Sequence, residues 1–153
     1  MMRLSNGLVF ESLYEVRGNI YFTINAVPVP KGRPRMNRLS GQVYTPLKTR
    51  AYENAVALKA KLAMQDKQPF HGAVKVTLAF YLPIPKSWNK KRQQEAIEGK
   101  HAECIVSDLD NYVKACADGM NGIVYHDDRQ IISLHARKRY SGTPETTVLV
   151  EGL

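Results

Sequence analysis

Residues 73–82, AVKVTLAFYL, constrain the fold more than any other stretch of this chain. Val74, Val76, Leu78, Phe80 and Leu82 alternate along it. Successive side chains of an extended strand point to opposite faces, so the spacing predicts a β-strand with one buried face. Pro83 and Pro85 end it. Residues 19–27 alternate in the same way, with Ile20, Phe22, Ile24 and Ala26 opposite Tyr21, Thr23 and Asn25. Between the two, Thr49 is suited to cap a helix over 49–64 that turns Tyr52, Ala55, Val56, Leu62 and Ala63 toward the core. A strand–helix–strand unit of this length permits a parallel pair joined by a right-handed crossover.

The chemistry concentrates in residues 107–131, SDLDNYVKACADGMNGIVYHDDRQI. Asp108, Asp110, Asp118, Asp127 and Asp128 lie here, in a chain whose net charge is +8. On a helix at ~100° per residue, Leu109, Tyr112, Val113, Cys116 and Met120 share one apolar stripe. Asp110 and Lys114, one turn apart, share another face. Gly119 and Gly122 are expected to loosen the helix end before the second acidic pair. Carboxylates drawn together repel unless a cation sits among them or their pKa values rise. Hard oxygen donors without thiolate suit Mg²⁺ or Mn²⁺, ions that activate water and stabilise phosphodiester oxyanions. Lys114 stands where it would add positive charge to a phosphate oxygen. The same residues also have a plain structural use. Ser107 or Asp108 can cap the helix, Lys114 can pair with Asp110 or Asp118, and Asp127-Asp128 can form a turn.

The order Asp108-Leu109-Asp110-Asn111, then Lys114, then Asp127-Asp128 with Gln130-Ile131, resembles the RusA-type Holliday junction resolvases. The resemblance runs from about Asn19 to Glu151 and is most specific from Asp108 to Asp128. It implies Mg²⁺-dependent endonucleases, dimeric and acting on four-way DNA junctions, that leave a 5′-phosphate and a 3′-hydroxyl. Carried over residue by residue, it makes Asp108, Asp110, Lys114 and Asp128 catalytic. Asp108, Asp110 and Asp128 become metal ligands, with Asp127 an accessory. It also implies a bacterial or phage-encoded protein of the cytoplasm. This sequence departs from compact members of the family by a head at residues 1–18 and by a basic stretch at 86–100.

Composition agrees with a nucleic-acid partner. A chain of 153 residues is expected to form one domain, with residues 1–18 as an extension and 19–153 as the enzyme. Cys104 and Cys116 make no disulfide framework, and no signal or membrane segment is visible. A zinc site from His101, Cys104, Cys116 and His126 can be drawn, but its spacing matches no common pattern. Residues 28–50 carry Lys31, Arg33, Arg35, Arg38, Lys48 and Arg50 and no acid. Prolines and glycines interrupt this segment, which reads as an irregular loop. Such a loop either contacts DNA phosphates, releasing counterions, or is simply solvated. The phosphodiester that the acidic site calls for favours contact, and the loop resembles the basic loop after the first strand of the resolvases. Tyr44 has a base or sugar to stack on in the first case and the core to pack against in the second.

Ser87 is expected to cap a short polar helix pinned by Trp88 and Ile97. Residues 130–140 alternate with Ile132, Leu134 and Ala136 on one face and His135, Arg137 and Arg139 on the other. A turn at 141–144 and a strand at 146–151 then suggest a terminal hairpin. The resulting expectation is an α+β domain, a mixed sheet of about four strands with helices on one face, in the order β-α-β-(α)-α-β-β. Two further functional readings remain at this level: a non-catalytic basic DNA-binding module, and a metal-dependent nuclease acting on another nucleic-acid structure.

Overall fold

The computed structural model describes residues 18–100 and 107–153. The sheet is mixed, with strands in the order β1 (Ile20–Ile24), β6 (Glu145–Gly152), β4 (Val74–Pro83) and β5 (Ile131–Ser141). β6 runs antiparallel to both of its neighbours, and β4 and β5 are parallel. Helix α1 (Leu47–Met64) and helix α3 (Leu109–Met120) supply the apolar cover, and α2 (Lys90–Ile97) lies beyond β4 in sequence. The α+β class, the mixed sheet and the order of elements agree with the sequence reading.

Register explains the core. Ile20, Val150 and Val76 stand side by side, as do Phe22, Val148 and Leu78, then Ile24, Thr146 and Phe80. All nine are buried and share one face of the sheet. The hydroxyl of Thr146, the polar member, meets the Tyr52 hydroxyl of α1 at 2.5 Å. A buried hydroxyl without such a partner costs about 1–3 kcal/mol.

Two expectations about strand neighbours are corrected. The last two strands form no hairpin, because β4 lies between them. β1 and β4 point the same way, but β6 is inserted between them. Side-chain chemistry accounts for both. Thr146, Val148 and Val150 of β6 are buried and Thr147 and Leu149 half-buried, which suits a strand with neighbours on both sides. His135, Arg137 and Arg139 of β5 are exposed and tolerate the sheet's edge, where charge also discourages further pairing. The parallel crossover is instead that from β4 through α2 and α3 to β5. Ile132 falls at a register shift between β4 and β5, and both it and Leu134 remain exposed rather than buried.

Local details also shift. Residues 28–50 are not wholly irregular: β2 (Arg35–Met36) pairs with β3 (Val43–Tyr44) in a small ribbon. Its turn is closed by the Asn37 side chain, which accepts from the Leu39 N–H at 2.9 Å. Helix α1 starts at Leu47 after Pro46, so Thr49 is buried inside its first turn rather than capping it. Leu62 is exposed, and Ala60 and Met64 take the inward positions. Asn89, not Ser87, caps α2 through the Arg92 N–H. Ala96 is the buried residue of that helix, whereas Ile97 is exposed. Trp88 packs edge-on against Tyr140, with the Arg92 guanidinium 3.7 Å from its ring centre.

Gly119 does not loosen α3. A Cβ on it would stand 2.7 Å from Val56 Cβ and 3.0 Å from the Glu53 carbonyl oxygen. The glycine therefore lets α1 and α3 approach along their backbones. Gly122, with φ +76°, makes the turn that follows. Gly119→Ala should push the helices apart and cost about 1–3 kcal/mol, the usual range for overpacking. Urea unfolding measures this, and an unchanged midpoint would show that the packing there is slack.

Candidate active site

The amphipathic stripe read from the sequence orients α3. Tyr112, Cys116 and Met120 are buried, Leu109 and Val113 half-buried, and Asp110 and Lys114 exposed on the adjoining face. Cys116 is fully enclosed, and burial pushes its thiol up to about 12. Such a cysteine is no partner for the exposed His126 in a zinc site, and His101 and Cys104 lie outside the described residues. His126 meets His71 instead, ring nitrogen to ring nitrogen at 3.1 Å.

Asp108 occupies the N-cap position of α3, yet its side chain makes no capping hydrogen bond. Its carboxylate is thus not committed to the helix end. The entry to α3 is held from elsewhere, by the Lys138 ammonium of β5 donating to the Ser107 carbonyl. Asp110 accepts from the neighbouring Asn111 N–H at 3.0 Å. Asp110, Lys114 and Asp128 open on one cavity of about 550 Å³, whose wall includes Val113, Ile131 and Leu134.

The second acidic pair has divided labour. Asp127 caps a 3₁₀ turn (Asp128–Gln130), accepting from the Arg129 N–H at 2.8 Å and from its Nε at 3.0 Å. Those bonds, first that to the Arg129 backbone, hold the Asp127 carboxyl below its ordinary range. Gln130 clamps the turn. Its Oε1 accepts from the N–H groups of His126 and Asp127, and its Nε2 donates to the carbonyls of Phe70 and Gly72. With Asp127 and Gln130 so engaged, Asp128 is the carboxylate presented to the cavity. Its Oδ2 accepts from the Lys114 ammonium at 2.7 Å.

Lys114 also meets Asp118 at 3.0 Å. The hydrogen bond to Asp128, then that to Asp118, raises its pKa well above the ordinary lysine value. Lys114 is therefore a fixed positive charge at neutral pH and no proton acceptor. Among the described residues, no three acidic, histidine or cysteine side chains form a ready metal-binding group. The lysine ammonium is the cation at Asp128 in this arrangement. The donor set around it is carboxylate oxygen, which suits a hard divalent ion in its place.

The basic segment is fastened to this helix. The Lys31 N–H donates to the Asn111 carbonyl at 2.8 Å, and its ammonium reaches Glu53 at 2.5 Å and Asp118 at 3.0 Å. Burial opposes its charge, but the bonds to Glu53 and Asp118 prevail and raise its pKa. Thr49 adds a tie, accepting from the Gly32 N–H at 3.0 Å. Arg33, Arg35, Arg38, Lys48 and Arg50 are all exposed. Arg33, Arg35 and Lys48 border a second cavity of about 360 Å³ with Pro30 and Pro46. Of the six basic residues singled out from the sequence, Lys31 alone is drawn into the acidic site. Glu53, Asp118, Gln130 and Lys138 complete the setting, and of these Gln130 stood within the recognised motif. Glu53 lies far from the motif along the chain, and Lys138, shortly after it, carried no signal of its own.

The model of the family described as Endodeoxyribonuclease RusA matches residues 25–151. The chain is also 34% identical over 135 residues to uncharacterized protein YqaN of Bacillus subtilis (strain 168), covering 86% of this chain and 94% of that one. The match spans the acidic helix, the clamped aspartate turn and the basic ribbon alike, and the chain belongs to the RusA endodeoxyribonuclease family.

Proposed function

We propose that the protein is a Mg²⁺-dependent endonuclease that resolves four-way DNA junctions, working as a homodimer. One observation carries this reading: the basic segment is anchored directly on the acidic helix, through Lys31 to Asn111 and Asp118. A strand whose phosphates lie against Arg33, Arg35 and Arg38 therefore runs beside the carboxylates. Asp108, Asp110 and Asp128 would hold Mg²⁺, or Mn²⁺ as a substitute, with Asp127 steadying the turn. The ion supplies charge neutralisation at the phosphate and a readily deprotonated water when bound. Lys114, permanently charged, steadies negative charge on the phosphate oxygens. Lys48 and Arg50, at the start of α1, extend the basic face. Cleavage leaves a 5′-phosphate and a 3′-hydroxyl, as in the family.

A four-way junction presents two equivalent strands, and one chain carries one acidic site. A two-fold dimer supplies two, and it is the commonest association of identical chains. The apolar residues Leu8, Val9, Phe10 and Leu13 of the head are candidates for the contact and lie outside the described residues. No helix among the described residues is long and apolar enough to cross a membrane.

Labelled four-way junction, duplex and single strand, each with Mg²⁺ and with chelator, test the reading directly. Cutting of the junction in Mg²⁺ alone is expected. Equal cutting of all three would move the substrate to another nucleic-acid structure, and none at all would leave a binding module. Asp108→Asn, Asp110→Asn and Asp128→Asn should each slow cleavage about 100-fold or more, the scale of removing one interaction with the transition state. DNA binding should be spared or tightened, since each change also removes a charge that repels phosphate. Loss of folding and binding together would mark the carboxylates as structural.

Neutralising Arg33, Arg35 and Arg38 should weaken binding to DNA of any sequence. The slope of log affinity against log salt should flatten by about 0.9 for each phosphate that is no longer neutralised. An unchanged slope would place the DNA elsewhere. Sedimentation at micromolar protein, with and without junction, should give a two-chain particle. A single chain in both conditions that still cuts both strands would exclude the dimer.

A further inference from the structure

Five charged side chains form one chain of contacts that the catalytic residues alone do not explain. Glu53 Oε1 meets Lys31 Nζ at 2.5 Å, and Lys31 Nζ meets Asp118 Oδ2 at 3.0 Å. Asp118 Oδ1 meets Lys114 Nζ at 3.0 Å, and Lys114 Nζ meets Asp128 Oδ2 at 2.7 Å. Asp118 thus divides its two oxygens between two lysines. Glu53, Lys31 and Asp118 keep between 19% and 22% of their side-chain surface exposed, whereas Lys114 keeps 53%. The inner part of the chain is sheltered and the outer lysine is accessible.

This geometry creates a competition. A divalent ion and the Lys114 ammonium both seek Asp128, whose Oδ2 the lysine already holds, and two positive charges on one carboxylate repel each other. An ion held at Asp128 would weaken the shorter of the two Lys114 contacts. A lysine stem has ample freedom to swing into solvent, where its charge would be lost to the phosphate. Asp118 prevents this, since it lies one helical turn along the same face and is already fixed on its far side by Lys31. With Asp118 retaining it, Lys114 keeps free N–H donors over the cavity shared with Asp110.

Resting on the metal-dependent reading above, we propose that Lys114 is a built-in competitor of the divalent ion at Asp128. Asp118, braced by Lys31 and Glu53, is the positioning residue that retains Lys114 when the ion displaces it. Ion binding and the turning of Lys114 from Asp128 to the phosphate are then one event. Lys31, although part of the basic segment, acts in the site and not as a phosphate ligand.

Calorimetric titration of the folded chain with Ca²⁺ alone, without DNA, reads the competition apart from cleavage. Asp108→Asn serves as the control for binding at this site. Lys114→Met should tighten Ca²⁺ binding by about threefold or more, as expected from releasing a partly exposed ion pair. Asp118→Asn should weaken it by a similar factor, because Lys114 is then left to Asp128 alone. The decisive arm is the double variant. If Asp118 acts through Lys114, adding Asp118→Asn to Lys114→Met changes Ca²⁺ affinity little, as a double-mutant cycle requires. If Asp118 acts only by its own charge or by holding the fold, the loss persists in the double variant, and the proposal is overturned. Lys114→Met lies at an exposed helix position, so the test stands even should Asp118→Asn fail to fold. Unchanged Ca²⁺ affinity in Lys114→Met overturns the competition while leaving the metal reading intact. A wild-type chain that binds neither Ca²⁺ nor Mn²⁺ overturns the metal reading, and this inference with it.

Discussion

The close crossing of α1 and α3 at Gly119 sets the geometry on which the active face depends. Without a side chain there, the backbone of α3 rests against Val56 and the Glu53 carbonyl. That approach places Glu53, from one helix, within reach of the lysine that also binds Asp118, from the other. The basic segment precedes α1 and is tied to both helices, by the Gly32 N–H to Thr49 on one side and the Lys31 N–H to Asn111 on the other. A packing contact deep in the molecule thereby fixes how far the positive face stands from the carboxylates.

The acidic face also shows how the fold's own side chains and solvent balance several carboxylates. Asp118 and Asp128 are neutralised by lysines, and Asp127 by a backbone N–H and an arginine. Asp108 and Asp110 remain exposed to water, where their charge is cheap. Each carboxylate is either paired or solvated, so the folded chain carries no buried unpaired charge here.

Much of this was legible in the sequence because its signals were local. Alternation in residues 73–82 and 146–151, and the stripe through Tyr112, Cys116 and Met120, each follow from the geometry of one element. Lys114 near Asp118 is a one-turn relation within a helix. What could not be read was long-range. Nothing in residues 146–151 says that the strand is inserted between β1 and β4, since a buried face is equally satisfied beside β5. Lys31 and Glu53 lie far from the motif in sequence and meet it only through the helix crossing. Gly119 has the same letter whether it ends a helix or admits another, and only its neighbour Val56 decides. Leu62 and Ile132 are apolar but exposed, because α1 turns its inward face to Ala60 and Met64 and because β5 slips register at the edge.

The insertion of β6 at the sheet's centre bears on how the chain reaches this state during synthesis. Among the described residues, β1 has β6 as its one sheet neighbour, and β6 follows the other elements in the sequence. Ile20, Phe22 and Ile24 must therefore wait, unpaired, while the helices and β4 emerge from the ribosome. Non-local pairing of this kind slows folding and leaves an apolar edge available to other chains in the interval. The nascent protein holds its acidic helix complete well before β6 closes the core.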